Sequence, residues 1–122
     1  MNTPRKRSNA PIFWLLFGAG GMLSALLGPV LVFITGLAVP LGLGMPADLL
    51  SYARMLAFAR SLPGMGLLFA VVSLFAWHAV HRIFHSLHDI GLHTGMPAKL
   101  LCYGSALFLT ALAAGELIAL QG

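Results

Sequence analysis

Long apolar stretches separated by short polar connections dominate this chain of 122 residues. No Asp, Glu, Lys or Arg occurs between Ser8 and Ala47, a stretch longer than the roughly 20 residues that a helix needs to cross a hydrocarbon core. Two further apolar stretches follow, each bounded by Pro, Gly or charged residues. The pattern predicts an all-α membrane protein with three transmembrane helices at about residues 12–39, 62–88 and 99–120.

Composition supports this class. Hydrophobic residues make up 59% of the chain, charged residues 8%, and the mean hydropathy is +0.92, values that exclude a small water-soluble domain. The polar connections are too short to fold as separate domains. We therefore expect residues 1–122 to form a single membrane domain.

The connection between the first two spans predicts a short amphipathic helix at about residues 48–60 that lies at the membrane interface. Asp48 is its expected N-cap. Arg54 and Arg60 are expected to reach water or lipid headgroups.

Lysine and arginine residues are distributed unevenly between the two sides of this arrangement. Two cations, Arg54 and Arg60, lie in the first connection, whereas five precede the first span or flank the second connection: Arg5, Lys6, Arg7, Arg82 and Lys99. By the positive-inside rule we expect the N-terminus to be cytoplasmic and the C-terminus to lie on the opposite side of the membrane. The isoelectric point near 10.0 then reflects topology and anionic lipid, and we expect no nucleic acid as a partner.

A stripe of polar residues marks the end of the second span. Their spacings of three, four and seven place them on one helical face. Polar side chains in a membrane-length helix usually face a protein interior, a water pocket or a ligand. The stripe, which we expect to hold a functional site, contains His78, His81, Arg82, His85, His88 and Asp89.

Four interpretations of the stripe remain open from the residues alone. Histidines can ligate haem, although Arg82 would place a cation beside the iron. His81, His85 and His88 have a spacing suited to a divalent metal, with Asp89 orienting one ring. For a quinone headgroup, Arg82 supplies a donor and a positive charge and the histidines carry protons. The fourth interpretation is a structural helix end at the interface.

The first span and the only cysteine add further expectations. Trp14 lies where an interfacial anchor is common, although its indole N–H could instead reach a ligand. Gly18, Gly21 and Gly28 fall in one angular sector, where a helix or a planar ligand could approach the backbone. Cys102 is expected to serve packing alone.

Several blocks of the chain resemble, in order, the D-subunit of fumarate reductase, a membrane anchor. The resemblance covers nearly the whole chain with similar intervals. The blocks are residues 7–8 (RS), 11–22 (PIFWLLFGAGGM), 40–43 (PLGL), 50–52 (LSY), 56–59 (LAFA), and His81, Arg82, His85, His88 and Asp89.

The resemblance implies a protein that is not catalytic alone. In this family, the D-subunit and a second membrane anchor, the C-subunit, attach a flavoprotein subunit and an iron–sulfur subunit to the cytoplasmic face of the bacterial inner membrane. Menaquinol is oxidised in the membrane and fumarate is reduced to succinate. Flavin and iron–sulfur clusters belong to the partner subunits, and neither haem nor a metal is expected in this chain.

The resemblance also implies which residues line the menaquinol site. The implied quinone-binding residues are Trp14, Phe17, Gly18, His81, Arg82 and His85.

Two alternatives accompany this interpretation: a haem-binding anchor of the succinate dehydrogenase type, and a purely structural assembly subunit. Glu116, near the end of the third span, is expected either to snorkel to the interface or to pair with another subunit.

Overall fold

The computed structural model of the chain describes residues 10–92 and 95–122. The basic residues Arg5, Lys6 and Arg7, on which much of the predicted orientation depends, lie outside the described residues. The described helices are α1 (Ala10–Phe33), α2 (Tyr52–Arg60), α3 (Leu62–Asp89) and α4 (Met96–Ala119). Three of them, α1 with its π-helical extension, α3 and α4, are long and apolar enough to cross a membrane. The prediction of three long apolar helices is confirmed.

Helix α1 continues through Pro29 and widens into a π-helical turn at Ile34–Ala38. The chain then leaves the helix in the segment rich in proline and glycine that follows. Gly42 and Gly44 there have φ angles of +65° and +70°, a backbone conformation that favours glycine. The prolines and glycines of this segment therefore explain why the helix ends before the polar connection.

Helix α2 begins later than the sequence suggested, and the expected N-cap was wrong. Ser51 caps the helix, with its side chain accepting a hydrogen bond from the Arg54 backbone N–H at 3.5 Å. Asp48 lies too far before Tyr52 to reach the first free N–H groups. Its carboxylate instead accepts a hydrogen bond from Arg54 Nε at 2.9 Å.

A tight turn at Ser61 joins α2 to α3. The Ser61 hydroxyl oxygen accepts a hydrogen bond from the Gly64 N–H at 3.1 Å and so caps α3. A Cβ atom at Gly64 would overlap the carbonyl oxygen of Phe58. Glycine is required here because the backbone of α2 approaches so closely.

Helix α3 packs against both α1 and α4, and α2 packs against α3. The start of α1, the end of α3 and the start of α4 meet at one end of the bundle, which we call the histidine end. At the opposite end, the α2 end, Arg60 Nε donates a hydrogen bond to the Leu120 carbonyl at 2.8 Å. Between the two ends, the indole N–H of Trp77 donates to Thr110 Oγ1 at 3.0 Å and ties α3 to α4.

Small residues dominate the buried apolar positions of the described chain: Ala38, Val39, Ala59 and Ala106. Large apolar side chains instead cover the outer faces of the helices. Such a surface is expected where lipid or other membrane subunits surround the helices, because lipid tails solvate apolar side chains. The bundle thus offers a broad apolar surface to its surroundings.

Candidate functional site

A cluster of rings from three helices forms the core of the histidine end. The imidazole of His81 stacks on Phe17 of α1, with ring centroids 3.9 Å apart and planes inclined by 12°. His85, one turn further along α3, meets His81 edge-on with centroids 4.3 Å apart. Three predicted site residues, Phe17, His81 and His85, are therefore in contact.

Tyr103 of α4 joins the same cluster, although the sequence analysis did not single it out. Its hydroxyl oxygen lies 3.0 Å from Nδ1 of His81, within hydrogen-bond distance. Its ring lies among those of Phe17, Trp77 and Phe84, with centroid separations of 6.3, 6.3 and 5.7 Å. His81 is thus held by a ring face from α1 and a hydroxyl group from α4.

His78 lies on the same helix face as His81 but has a different partner. Its Nδ1 lies 3.2 Å from the carbonyl oxygen of Phe17. Because a carbonyl only accepts hydrogen bonds, this bond requires a proton on Nδ1 of His78. His78 therefore ties α3 to the backbone of α1.

Two glycines of α1 permit this close approach. A Cβ atom at Gly20 would lie 2.7 Å from the carbonyl oxygen of Leu74, and one at Gly21 would lie 2.9 Å from Cε1 of His78. A Cβ atom at Gly18 or Gly28 would meet no atom of the described residues within 4 Å. The predicted small-residue sector is therefore divided, since Gly21 packs against α3 whereas Gly18 and Gly28 face open space.

The remaining predicted site residues lie on the surface of the histidine end. Trp14 has a relative exposure of 80%, and Gly18, one turn further along α1, is exposed. Arg82 is exposed, and it forms no hydrogen bond or ion pair with any residue in the described ranges 10–92 and 95–122. Within these ranges its charge is therefore unpaired.

The metal interpretation needs at least three ligands in one place. Within the part of the chain that the structure describes, no three His, Cys, Asp or Glu side chains are grouped so that they could hold a metal ion. His81 and His85 are instead engaged with aromatic rings and with each other. The geometry of the cluster thus gives the metal interpretation no support.

A cavity of about 390 Å³ adjoins the ring cluster. It is lined by Phe17, Trp77, Lys99 and Tyr103, and so lies where α1, α3 and α4 meet.

Tyr103 could have been noticed in the sequence as the one phenol within the third span. Its position opposite His81, however, depends on the register of α4 against α3, which the sequence pattern does not reveal.

Comparison with known proteins identifies the family. A family model described as the D-subunit of fumarate reductase matches residues 4–118. This chain belongs to the fumarate reductase D-subunit family. The resemblance noted from the sequence is therefore confirmed.

Individual relatives agree with this assignment. The fumarate reductase D-subunit of Vibrio parahaemolyticus is 46% identical over 113 residues, which cover 93% of this chain and 90% of that protein. The corresponding protein of Vibrio cholerae is 43% identical, covering 93% of this chain and 86% of its own length. The D-subunit of a Shewanella species is 40% identical, with 93% of each chain covered. The ring cluster and the exposed Arg82 thus belong to a member of the D-subunit family.

Proposed function

We propose that this chain anchors a quinol:fumarate reductase in the membrane and that its histidine end forms part of the site where menaquinol is oxidised. The observation that carries the proposal is an exposed Arg82, unpaired among the described residues, one position after the stacked imidazole of His81. An exposed arginine beside an ordered histidine suits a ligand that needs a positive charge and a proton acceptor together.

The family and the apolar surface of the bundle support the proposed anchoring role. A fumarate reductase D-subunit acts in a complex of several subunits, and we propose that its partners are a flavoprotein subunit, an iron–sulfur subunit and the second membrane anchor, the C-subunit. The exposed apolar faces of α1 and α4 suit contact with lipid and with that second anchor. Flavin and iron–sulfur clusters belong to the partners, and no haem is expected.

The proposed orientation places the histidine end at the cytoplasmic face of the bacterial inner membrane. Arg82 and Lys99 lie at this end, whereas Arg54 and Arg60 lie at the α2 end. Together with the basic N-terminal residues, this distribution favours a cytoplasmic N-terminus and a periplasmic C-terminus. Electrons from the quinol would then enter an iron–sulfur subunit docked on the same face.

Each proposed site residue has a separate task. The guanidinium group of Arg82 donates hydrogen bonds to a headgroup oxygen and stabilises negative charge there. His81 accepts a proton from the quinol hydroxyl, and the exposed His85 that contacts it offers a route to water.

Trp14 and Gly18 complete the proposed site from α1. Trp14 is exposed, so its indole N–H can donate to the second headgroup oxygen. The open space over Gly18 leaves room for a planar ring beside Phe17. These features fit a quinone headgroup, which is flat and carries hydrogen-bonding oxygens on opposite edges.

Replacing Arg82 with alanine in the assembled complex tests the proposal. Because a hydrogen bond to a charged group contributes about 1.5–3 kcal/mol, we expect quinol oxidation to slow by roughly ten- to a hundredfold. Fumarate reduction driven by a water-soluble dye, which bypasses the quinol site, should be unchanged. Arg54→Ala is the matched control, since Arg54 is also exposed but pairs with Asp48 at the α2 end.

Other outcomes would favour the alternatives. Normal quinol turnover in an assembled Arg82→Ala complex contradicts the proposed site. A Soret absorption band in the purified complex would favour a haem-binding anchor of the succinate dehydrogenase type. Loss of assembly without a separate quinol defect would favour a purely structural subunit.

A further inference from the structure

Two histidines of α3, His78 and His81, have hydrogen-bond partners on neighbouring helices, and the group that faces Nδ1 differs between them. His78 faces the carbonyl oxygen of Phe17 at 3.2 Å, and His81 faces the hydroxyl of Tyr103 at 3.0 Å. A carbonyl can only accept a hydrogen bond, whereas a phenol hydroxyl both donates and accepts. The partner of His78 thus permits one neutral tautomer, and the partner of His81 permits both.

We infer that Tyr103 is a positioning residue that keeps His81 in one orientation while Nε2 of His81 alternates between accepting and donating a hydrogen bond. The inference rests on the proposed quinol site. When Nδ1 of His81 carries the proton, it donates to the Tyr103 oxygen and Nε2 is an acceptor. When Nε2 carries the proton, the Tyr103 hydroxyl donates to Nδ1 instead.

This property matches the two forms of a quinone headgroup. A quinol presents hydroxyl groups, so His81 must accept at Nε2, whereas a quinone presents carbonyl oxygens, so His81 must donate there. During oxidation both quinol O–H bonds break and both electrons pass to the iron–sulfur partner. One proton forms an N–H bond at Nε2 of His81, and the other is released to water. His81 is then an imidazolium whose Nδ1–H donates to Tyr103. When Nδ1 loses its proton to water, the Tyr103 hydroxyl donates to Nδ1 and Nε2–H donates to the quinone oxygen.

The surroundings of Tyr103 hold its ring in place. The rings of Phe17, Trp77 and Phe84 lie around it. Because Tyr103→Phe keeps the ring and removes only the hydroxyl, the packing among these rings should be preserved. The variant therefore isolates the hydrogen bond to His81.

The test measures quinol oxidation by the whole complex carrying Tyr103→Phe. We expect kcat to fall about five- to tenfold, which corresponds to roughly 1–1.4 kcal/mol, with KM for quinol changed less than about twofold. Dye-driven fumarate reduction should be unchanged, which shows that the complex is assembled. A structural role for Tyr103 would instead lower both activities together.

Thr110→Val is the matched control. It removes another hydroxyl of α4 that takes part in a hydrogen bond to α3, but that bond joins Trp77 and not His81. We expect quinol turnover of this variant to stay within about twofold of the unmodified complex. A loss equal to that of Tyr103→Phe would overturn the inference, because any weakened contact between α3 and α4 would then suffice.

A double-mutant cycle tests whether Tyr103 acts through His81. If it does, adding Tyr103→Phe to His81→Ala causes no further loss of kcat. If Tyr103→Phe alone is as active as the unmodified complex while His81→Ala and Arg82→Ala are slow, the inference fails and the proposed quinol site stands. Full quinol turnover in both His81→Ala and Arg82→Ala overturns the proposed site, and the inference with it.

Discussion

The rings of Phe17 and His81 are nearly parallel, with centroids 3.9 Å apart and planes inclined by 12°. One face of the imidazole is therefore covered by a side chain of a different helix. The stack leaves both ring nitrogens, which lie on the edge of the ring, able to form hydrogen bonds. Nδ1 of His81 is engaged by Tyr103 at 3.0 Å. The stack thus restricts rotation of the ring without competing for its hydrogen bonds.

Replacing Phe17 with leucine should impair quinol oxidation more than it impairs assembly. Aromatic pairs contribute about 0.5–1.5 kcal/mol beyond their buried area, so weaker orientation of His81 predicts a loss of turnover of roughly two- to tenfold. The measurement is steady-state quinol oxidation, divided by dye-driven fumarate reduction of the same preparation.

Phe69→Leu provides the control for the Phe17 variant. Phe69 lies on α3 beside a groove lined by α4 residues and has no role in the ring cluster. Its replacement should leave the ratio of the two activities unchanged. Equal ratios in the Phe17 and Phe69 variants would show that the stack does not orient His81 for the reaction.

Gly20 lies where α1 and α3 are in close contact, so a side chain at this position should weaken the packing of the two helices. An added Cβ would lie 2.7 Å from the Leu74 carbonyl oxygen and 3.0 Å from Cβ of His78, so the helices must separate. Overpacking of this kind costs about 1–3 kcal/mol. We expect Gly20→Ala to lower the thermal stability of the purified complex, measured by loss of dye-driven activity on heating.

Gly28→Ala is the matched change on the same helix. No atom of the described residues lies within 4 Å of the position of its added Cβ, and alanine is about 1 kcal/mol more favourable than glycine in a helix. This variant should be as stable as the unmodified protein or slightly more so. A stable Gly20→Ala complex would mean that α1 and α3 do not approach as closely as described.

Hydropathy was sufficient to predict the long helices, because the length of an apolar segment is directly visible in the sequence. The start of α2 was not predictable in the same way. Asp48 and Ser51 are both good N-cap residues, and the choice between them depends on where the chain leaves its preceding turn. The pairing of Asp48 with Arg54 is a local contact that helix periodicity does not show.

Part of the candidate site was visible in the stripe on α3, since periodicity gives the angular position of each residue on its own helix. It does not give the neighbour that covers each position. His78 and His81 share a face, yet one meets a backbone carbonyl of α1 and the other a hydroxyl of α4. The contribution of Tyr103 therefore required the packing of α4 against α3.

At the α2 end, a contact of Arg60 affects the stability of the bundle and not quinol chemistry. Arg60 Nε donates to the carbonyl oxygen of Leu120 at the C-terminal end of α4, at 2.8 Å. Carbonyl groups in the last turn of a helix lack intrahelical partners, and a nearby cation also interacts favourably with the helix dipole. Arg60 thus joins α2 to the end of α4.

Arg60→Ala should allow the last turn of α4 to open more often. Because a cation at a helix C-terminus contributes about 0.3–1 kcal/mol, amide hydrogen exchange near Leu120 should accelerate by roughly two- to fivefold. Arg54→Ala is the control, because Arg54 pairs with Asp48 at the start of α2. Exchange rates near Leu120 that are equal in both variants would contradict the role assigned to Arg60, whereas a change confined to Arg60→Ala, with normal quinol turnover, would separate this contact from the chemistry of the histidine end.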